Sequence, residues 1–107
     1  MRNKYNAKKV KLDGYTFDSK AEAHRYGELK LLLKNKKISD LDVHPKMPLY
    51  VAGRLVAKYI PDFSYCDNEK NNARVYEDVK GVRTSTYVLK KKLVKALYGI
   101  EIREIKA

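Results

Sequence analysis

The spacing of apolar positions along this chain changes period several times, and each change marks an element. Val10, Leu12, Tyr15 and Phe17 flank Asp13-Gly14, a pair able to take the positive φ angles of a tight two-residue turn. Residues 10–17 therefore read as an N-terminal β-hairpin. From residue 19 to about 35 the spacing becomes helical. Tyr26, Leu29 and Leu33 form a stripe with Leu32 beside it, while Lys20, Lys30 and Lys34 lie off it. Ser19 followed by Glu22 fits a capping box, in which serine oxygen and glutamate each satisfy a free N–H at the helix start.

Short β-like runs follow at residues 41–43, 49–51 and 55–66, broken by His44-Pro45, Pro48 and a turn at Ala52-Gly53, which predicts a meander. Residues 67–73 are a polar loop and 74–80 another strand. A second helix is expected from about 86 to 98, with Leu89, Leu93, Ala96 and Leu97 as its apolar stripe, Lys91, Lys92 and Lys95 on its wet side, and Gly99 ending it. Residues 100–105 read as a last strand. Strand, helix and strand in succession fit a right-handed parallel crossover, so the sheet is expected to be mixed and the fold class α/β.

Composition sets the scale. At 107 residues and 44% hydrophobic content the chain suits a single domain, here residues 10–107, preceded by a basic stretch at 1–9. That stretch has no periodicity and reads either as a flexible tail or as a phosphate-seeking arm. A domain this small has thin stability margins, and self-association into a homodimer would widen them. The net charge of +11 favours a polyanionic partner, with nucleic acid first. No apolar run approaches the roughly 18 residues of a spanning helix, and the first residues lack a signal-peptide core, so no membrane role and a cytoplasmic location are expected. Cys66 is the lone cysteine, which excludes an internal disulfide and a cysteine zinc site. His24 and His44 show no spacing typical of zinc ligands.

Charge alone would suit a non-catalytic DNA- or RNA-binding module, but the carboxylates add chemistry. Hydrolysing a phosphodiester requires an activated water and a stabiliser for the charge that builds on phosphorus-bound oxygens, and carboxylates holding Mg²⁺ supply most of this. Asp62 follows Pro61 near the end of one expected strand, and Asp78 lies in the next, which can bring the two carboxylates together. Lys80, two residues on, shares the face of Asp78, whereas Phe63, Tyr65, Val75 and Val79 have the opposite parity and form a packing face. Glu77 also has the opposite parity and reads as a surface or supporting group.

The acid-x-lysine triplet is weak by itself, since Asp18-Ser19-Lys20, Glu28-Leu29-Lys30 and Glu104-Ile105-Lys106 match it as well. Only Asp78-Val79-Lys80 follows the sole Pro-Asp pair and precedes a helix. The alternative is a pair of solvated strand charges with Asp62 in an Asp-turn. Glu22 is reached by stepping back from Leu33 through Leu29 and Tyr26, which aims it at the sheet as a third carboxylate or leaves it a mere helix cap.

Glu22, Pro61-Asp62 and Asp78-Val79-Lys80 with a helix after them resemble the PD-(D/E)XK nuclease superfamily over most of the chain. The chain is most similar to the small Holliday-junction resolvases and related phage endonucleases. The resemblance implies a restriction-endonuclease-like core in the order helix, three strands, helix, strand. It further implies Mg²⁺, with Mn²⁺ able to substitute, held by Asp62, Asp78 and Glu22, with Lys80 as catalytic lysine. The expected activity is endonucleolytic cleavage of branched DNA by a homodimer that nicks symmetric strands. Asp at position 78, where many members have Glu, shortens that arm by a methylene. Arg83, Lys90, Lys91 and Lys95, close after the motif, are candidates for holding the DNA backbone, against the plainer reading of a solvated lysine face. The nine tyrosines fall at core spacings and read as packing.

Overall fold

The computed structural model describes residues 8–107. Of the basic N-terminal stretch, residues 1–7 lie outside the described part, and Lys8 and Lys9 form no regular element. The expected hairpin is present: β1 (Val10–Leu12) pairs antiparallel with β2 (Tyr15–Phe17) about Asp13 and Gly14, at φ 54° and 81°. Those two left-handed residues are what a type I′ turn requires. The hairpin is tied to α1 (Lys20–Lys34) through Asp13, which accepts hydrogen bonds from the Tyr26 hydroxyl at 2.9 Å and Lys30 Nζ at 2.6 Å.

Ser19 caps α1, its Oγ accepting the N–H of Glu22 at 3.1 Å. The reciprocal half of the expected box differs, because Glu22 Oε2 accepts the N–H of Asp18 rather than that of Ser19. Glu22, Tyr26 and Leu29 are buried as the stripe predicts, but the line continues through Leu32, and Leu33 is exposed. One further residue turns a side chain about 100° around the axis, enough to leave the buried stripe.

The main sheet has the order β3 (Ile38–Val43), β6 (Phe63–Asp67), β7 (Ala73–Lys80), β8 (Ile102–Lys106). The first two pairings are antiparallel and β7–β8 is parallel, so the sheet is mixed. The parallel pair is joined by α2 (Ser85–Tyr98), capped by Thr84 and ended by Gly99 at φ 67°. The expected order of helix, three strands, helix and strand is found in α1, β3, β6, β7, α2 and β8.

Two expectations about the strands need correction. Residues 55–66 are two strands rather than one: β5 (Arg54–Tyr59) pairs only with β4 (Met47–Val51), in a separate two-stranded sheet, and β6 belongs to the main sheet. The cut falls at Ile60-Pro61-Asp62, where proline fixes φ and has no N–H to give a ladder. Pro48, read as a breaker, lies inside β4 opposite Lys58, which a strand with one neighbour tolerates.

Both faces of the main sheet are covered. Phe63 and Tyr65, with Val75 and Val79, pack against Phe17, Tyr26 and Leu29 on one side. On the other, Ile102 and Tyr76 meet Tyr87 and Val94 of α2 and Leu49 and Tyr59 of the β4–β5 hairpin. The apolar face of α2 is thus centred on Tyr87 and Val94. Ala96 is exposed and Leu89 is 60% exposed, contrary to the expected stripe, while Leu93 and Leu97 are partly buried. Tyr87 supplies the largest apolar surface at the start of the helix and so sets which face turns inward. No helix among the described residues is long and apolar enough to cross a membrane.

Candidate metal centre

The Pro-Asp pair and the Asp-x-Lys strand interlock through backbone hydrogen bonds. Asp62 occupies the bend before β6, where its N–H donates to Asp78 Oδ1 at 2.9 Å and its own Oδ2 accepts the N–H of Val79 at 2.8 Å. Asp78 Oδ2 accepts the Tyr59 hydroxyl, so both oxygens of this buried carboxyl are engaged. Burial pushes each aspartate up to about 6. For Asp62 the charge of Glu22 adds to the rise, against the Val79 N–H, Lys80 and His44. For Asp78 the opposing influences are Lys80 and the Asp62 N–H.

Glu22 comes from α1, the opposite side of the cleft, and is almost fully buried. Its Oε1 lies 2.6 Å from Nε2 of His44, whose position in the chain shows no spacing to a partner ligand. His44 directly follows β3 in a left-handed conformation, φ 53°, and its N–H donates to the carbonyl of Asp62 at 2.9 Å. The ring also lies 5.7 Å from that of Phe17. In consequence Glu22, His44 and Asp62 present ligand atoms within 4.8 Å of one another. Two carboxylate oxygens suit a hard divalent ion, and an imidazole nitrogen shifts the balance from Mg²⁺ toward Mn²⁺ or a later transition metal. The charge conflict between Glu22 and Asp62 is of the kind a cation relieves.

Asp78 stands outside that convergence, behind Asp62, and supports it through the Asp62 N–H. Glu22, Asp62 and Lys80 line one cavity of about 550 Å³, to which Lys8 and Lys20 add positive charge. Lys80 shares its sheet face with Asp78, and its Nζ lies 4.2 Å from the centre of the Tyr87 ring.

Glu77 is fully buried, not a surface group. The parity assigned to it is right, but α1 covers that face. Its carboxylate accepts from Arg25 Nε and Nη2 at 2.7 and 3.1 Å and from the Tyr65 hydroxyl at 2.7 Å. Three of the four expected backbone-holding cations are engaged in ion pairs: Arg83 and Lys91 with Glu104 at 3.2 and 3.0 Å, and Lys95 with Glu101 at 2.8 Å. Lys90 is partly buried on α2. The cations at the cavity are instead Lys8, Lys20 and Lys80, and Lys20 belongs to an Asp-x-Lys triplet that sequence context sets aside.

No curated protein matches the chain. One family model, described as "Protein of unknown function (DUF1064)", matches residues 2–106.

Proposed function

We propose that this chain, which belongs to the DUF1064 family, is a divalent-metal-dependent endonuclease that cleaves DNA, with branched DNA as its preferred substrate. The observation that carries the reading is the interlock of Asp62 with Asp78 and Val79 at the wall of a cavity that Glu22 and Lys80 also line. The reading keeps the residues that the resemblance to PD-(D/E)XK nucleases singles out, with one addition and one change of role. His44 joins Glu22 and Asp62 as a metal ligand. Asp78 acts mainly as a positioning residue, holding the Asp62 backbone.

A bound Mg²⁺ or Mn²⁺ would supply positive charge against the negative charge that builds on the scissile phosphate. The protein's own groups do the rest. Glu22, His44 and Asp62 would hold the ion, and Lys8 and Lys20 would draw the DNA backbone to the cavity mouth. Lys80 orients the attacking water or offsets phosphate charge with its ammonium group. A module that only bound nucleic acid would gain nothing from carboxylates beside a phosphate, because they repel it unless a cation intervenes.

The test is cleavage of labelled four-way junction, flap, linear duplex and single-stranded DNA in Mg²⁺, Mn²⁺ or EDTA. Cleavage is expected only with metal, and best on the branched substrates. Glu22→Ala, Asp62→Ala and Asp78→Ala should lose at least a hundredfold in rate. Lys80→Ala should abolish turnover yet leave DNA affinity within a few-fold, one phosphate contact among many being a small loss. Metal-independent binding by the wild type without cleavage of any substrate would reduce the protein to a binding module.

A further inference from the structure

The β4–β5 hairpin stands apart from the main sheet and carries an exposed apolar end. Its inner side chains, Leu49 and Tyr59, are buried against α2. Its outer end shows Tyr50, Leu55 and Val56 at 50, 49 and 58% exposure, and Val51 is exposed beside them. Large apolar groups exposed together on a two-stranded ribbon mark a contact surface.

Charge indicates what meets it. From Val43 to Pro61 the sequence contains Lys46, Arg54 and Lys58 and no aspartate or glutamate. The turn chemistry agrees. Ala52 and Gly53 take φ 50° and 77°, the left-handed pair of a type I′ turn, where Asn or Asp ordinarily stands first. The β1–β2 hairpin uses Asp13 at the equivalent place. Alanine is sterically disfavoured in that conformation and, unlike aspartate, sets no negative charge beside Arg54, which closes the turn opposite Val51. A partner that suits these cations and apolar groups side by side is a nucleic acid with unstacked bases. Its phosphates would meet Lys46, Arg54 and Lys58, and its base faces would meet Tyr50 and the aliphatic side chains.

The hairpin is also fixed to the catalytic centre. Tyr59, the last residue of β5, donates to Asp78, and Ile60-Pro61 leads directly to Asp62. At the other strand the Tyr98 hydroxyl of α2 donates to the carbonyl of Pro48 at 2.6 Å. A base held at the tip would therefore be held at a set position relative to the metal ligands.

We propose that the β4–β5 hairpin is the element that recognises branch points, inserting Tyr50, Leu55 and Val56 against unpaired or unstacked bases. This rests on the reading of the chain as a DNA endonuclease and names the feature of the substrate that selects it. The experiment measures fluorescence anisotropy in EDTA with a labelled four-way junction, a single strand and a linear duplex of equal length. The double variant Tyr50→Ala/Leu55→Ala should weaken binding to the junction and single strand about tenfold and leave the duplex within twofold. Ala52→Asp, which sets a negative charge at the tip, should produce the same discrimination. All three side chains are exposed, and a melting temperature no lower than that of the wild type confirms that the variants fold. Wild-type protein should alter the fluorescence of 2-aminopurine at the junction centre, and the double variant should not.

Equal weakening on all three DNAs, or none, would overturn the proposal. So would a wild-type dimer that the double variant breaks, with junction affinity lost in proportion, since the hairpin would then be a contact between copies. The endonuclease reading fails separately: discrimination in EDTA without cleavage in Mg²⁺ or Mn²⁺ leaves branch recognition standing. Cleavage with an unaltered branch preference in the hairpin variant removes branch recognition alone.

Discussion

Asp62 is placed where burial and a neighbouring carboxylate both oppose its charge, and that conflict is measurable. Its carboxyl titrates near 3.8 when unperturbed and is pushed up to about 6 in the folded protein. Below 3.8 both states are protonated and stability is unaffected. Between the two values the folded state holds the extra proton, so stability falls as pH rises, and above about 6 the full penalty applies. A rise of that size corresponds to at most roughly 3 kcal/mol. Asp62→Asn keeps an oxygen for the Val79 N–H and removes the charge. Urea unfolding without metal should therefore find it more stable than wild type at pH 7.5 and no more stable at pH 4. Mn²⁺ at pH 7.5 should stabilise the wild type and not the variant, because only the wild type keeps both carboxylates of the ion's ligand set. An advantage that persisted at pH 4 would assign the effect to packing instead of charge.

At the scale of elements, the register of α1 over the sheet depends on a buried ion pair. Arg25 follows Glu22 by one turn of the helix and reaches Glu77 on β7, which also accepts from Tyr65; the Tyr65 hydroxyl in turn accepts from Arg103 of β8 at 3.1 Å. Burial, then the bond to Glu77, pushes the Tyr65 hydroxyl up to about 12. Removing Glu77 leaves Arg25 with only its exposed pair to Glu28 at 3.3 Å and takes the acceptor from the buried Tyr65 hydroxyl. Glu77→Ala should lose about 3–5 kcal/mol in denaturant unfolding. Replacing both partners by apolar residues, Glu77→Leu with Arg25→Met, should recover most of it. If the single and double variants were equally unstable, the pair would not be what fixes the helix. Because Glu22 rides on the same helix, Glu77→Ala should also weaken metal binding.

For the whole molecule, a net charge of +11 on 107 residues would draw a polyanion such as DNA whatever its sequence, and small size favours association. A homodimer, needed for paired nicking of a junction, should show as doubled mass in light scattering at micromolar concentration. A persistent monomer would leave single-site cleavage of flaps or duplexes as the mode of action. Arg83 and Lys91 share Glu104, and Lys95 pairs with Glu101, so two carboxylates offset part of the positive charge around α2 and the cations at the cavity gain in importance.

By itself the sequence determined what short-range physics controls. Asp13-Gly14 sets the first turn, Ser19 caps α1, and Gly99 ends α2. The period changes gave the order of elements, and the Pro61-Asp62 and Asp78-Val79-Lys80 spacing singled out the carboxylates that interlock. The tertiary structure decided what depends on residues far apart in the chain meeting in space. His44 reaches Glu22 across 22 positions, and Tyr59 engages Asp78 across 19. Glu77 became buried because a helix covers its face, and α2 turned Tyr87 inward instead of Leu89 because the β4–β5 hairpin supplied a surface for it. Parity and periodicity say which side chains share a face. Only packing says what that face meets.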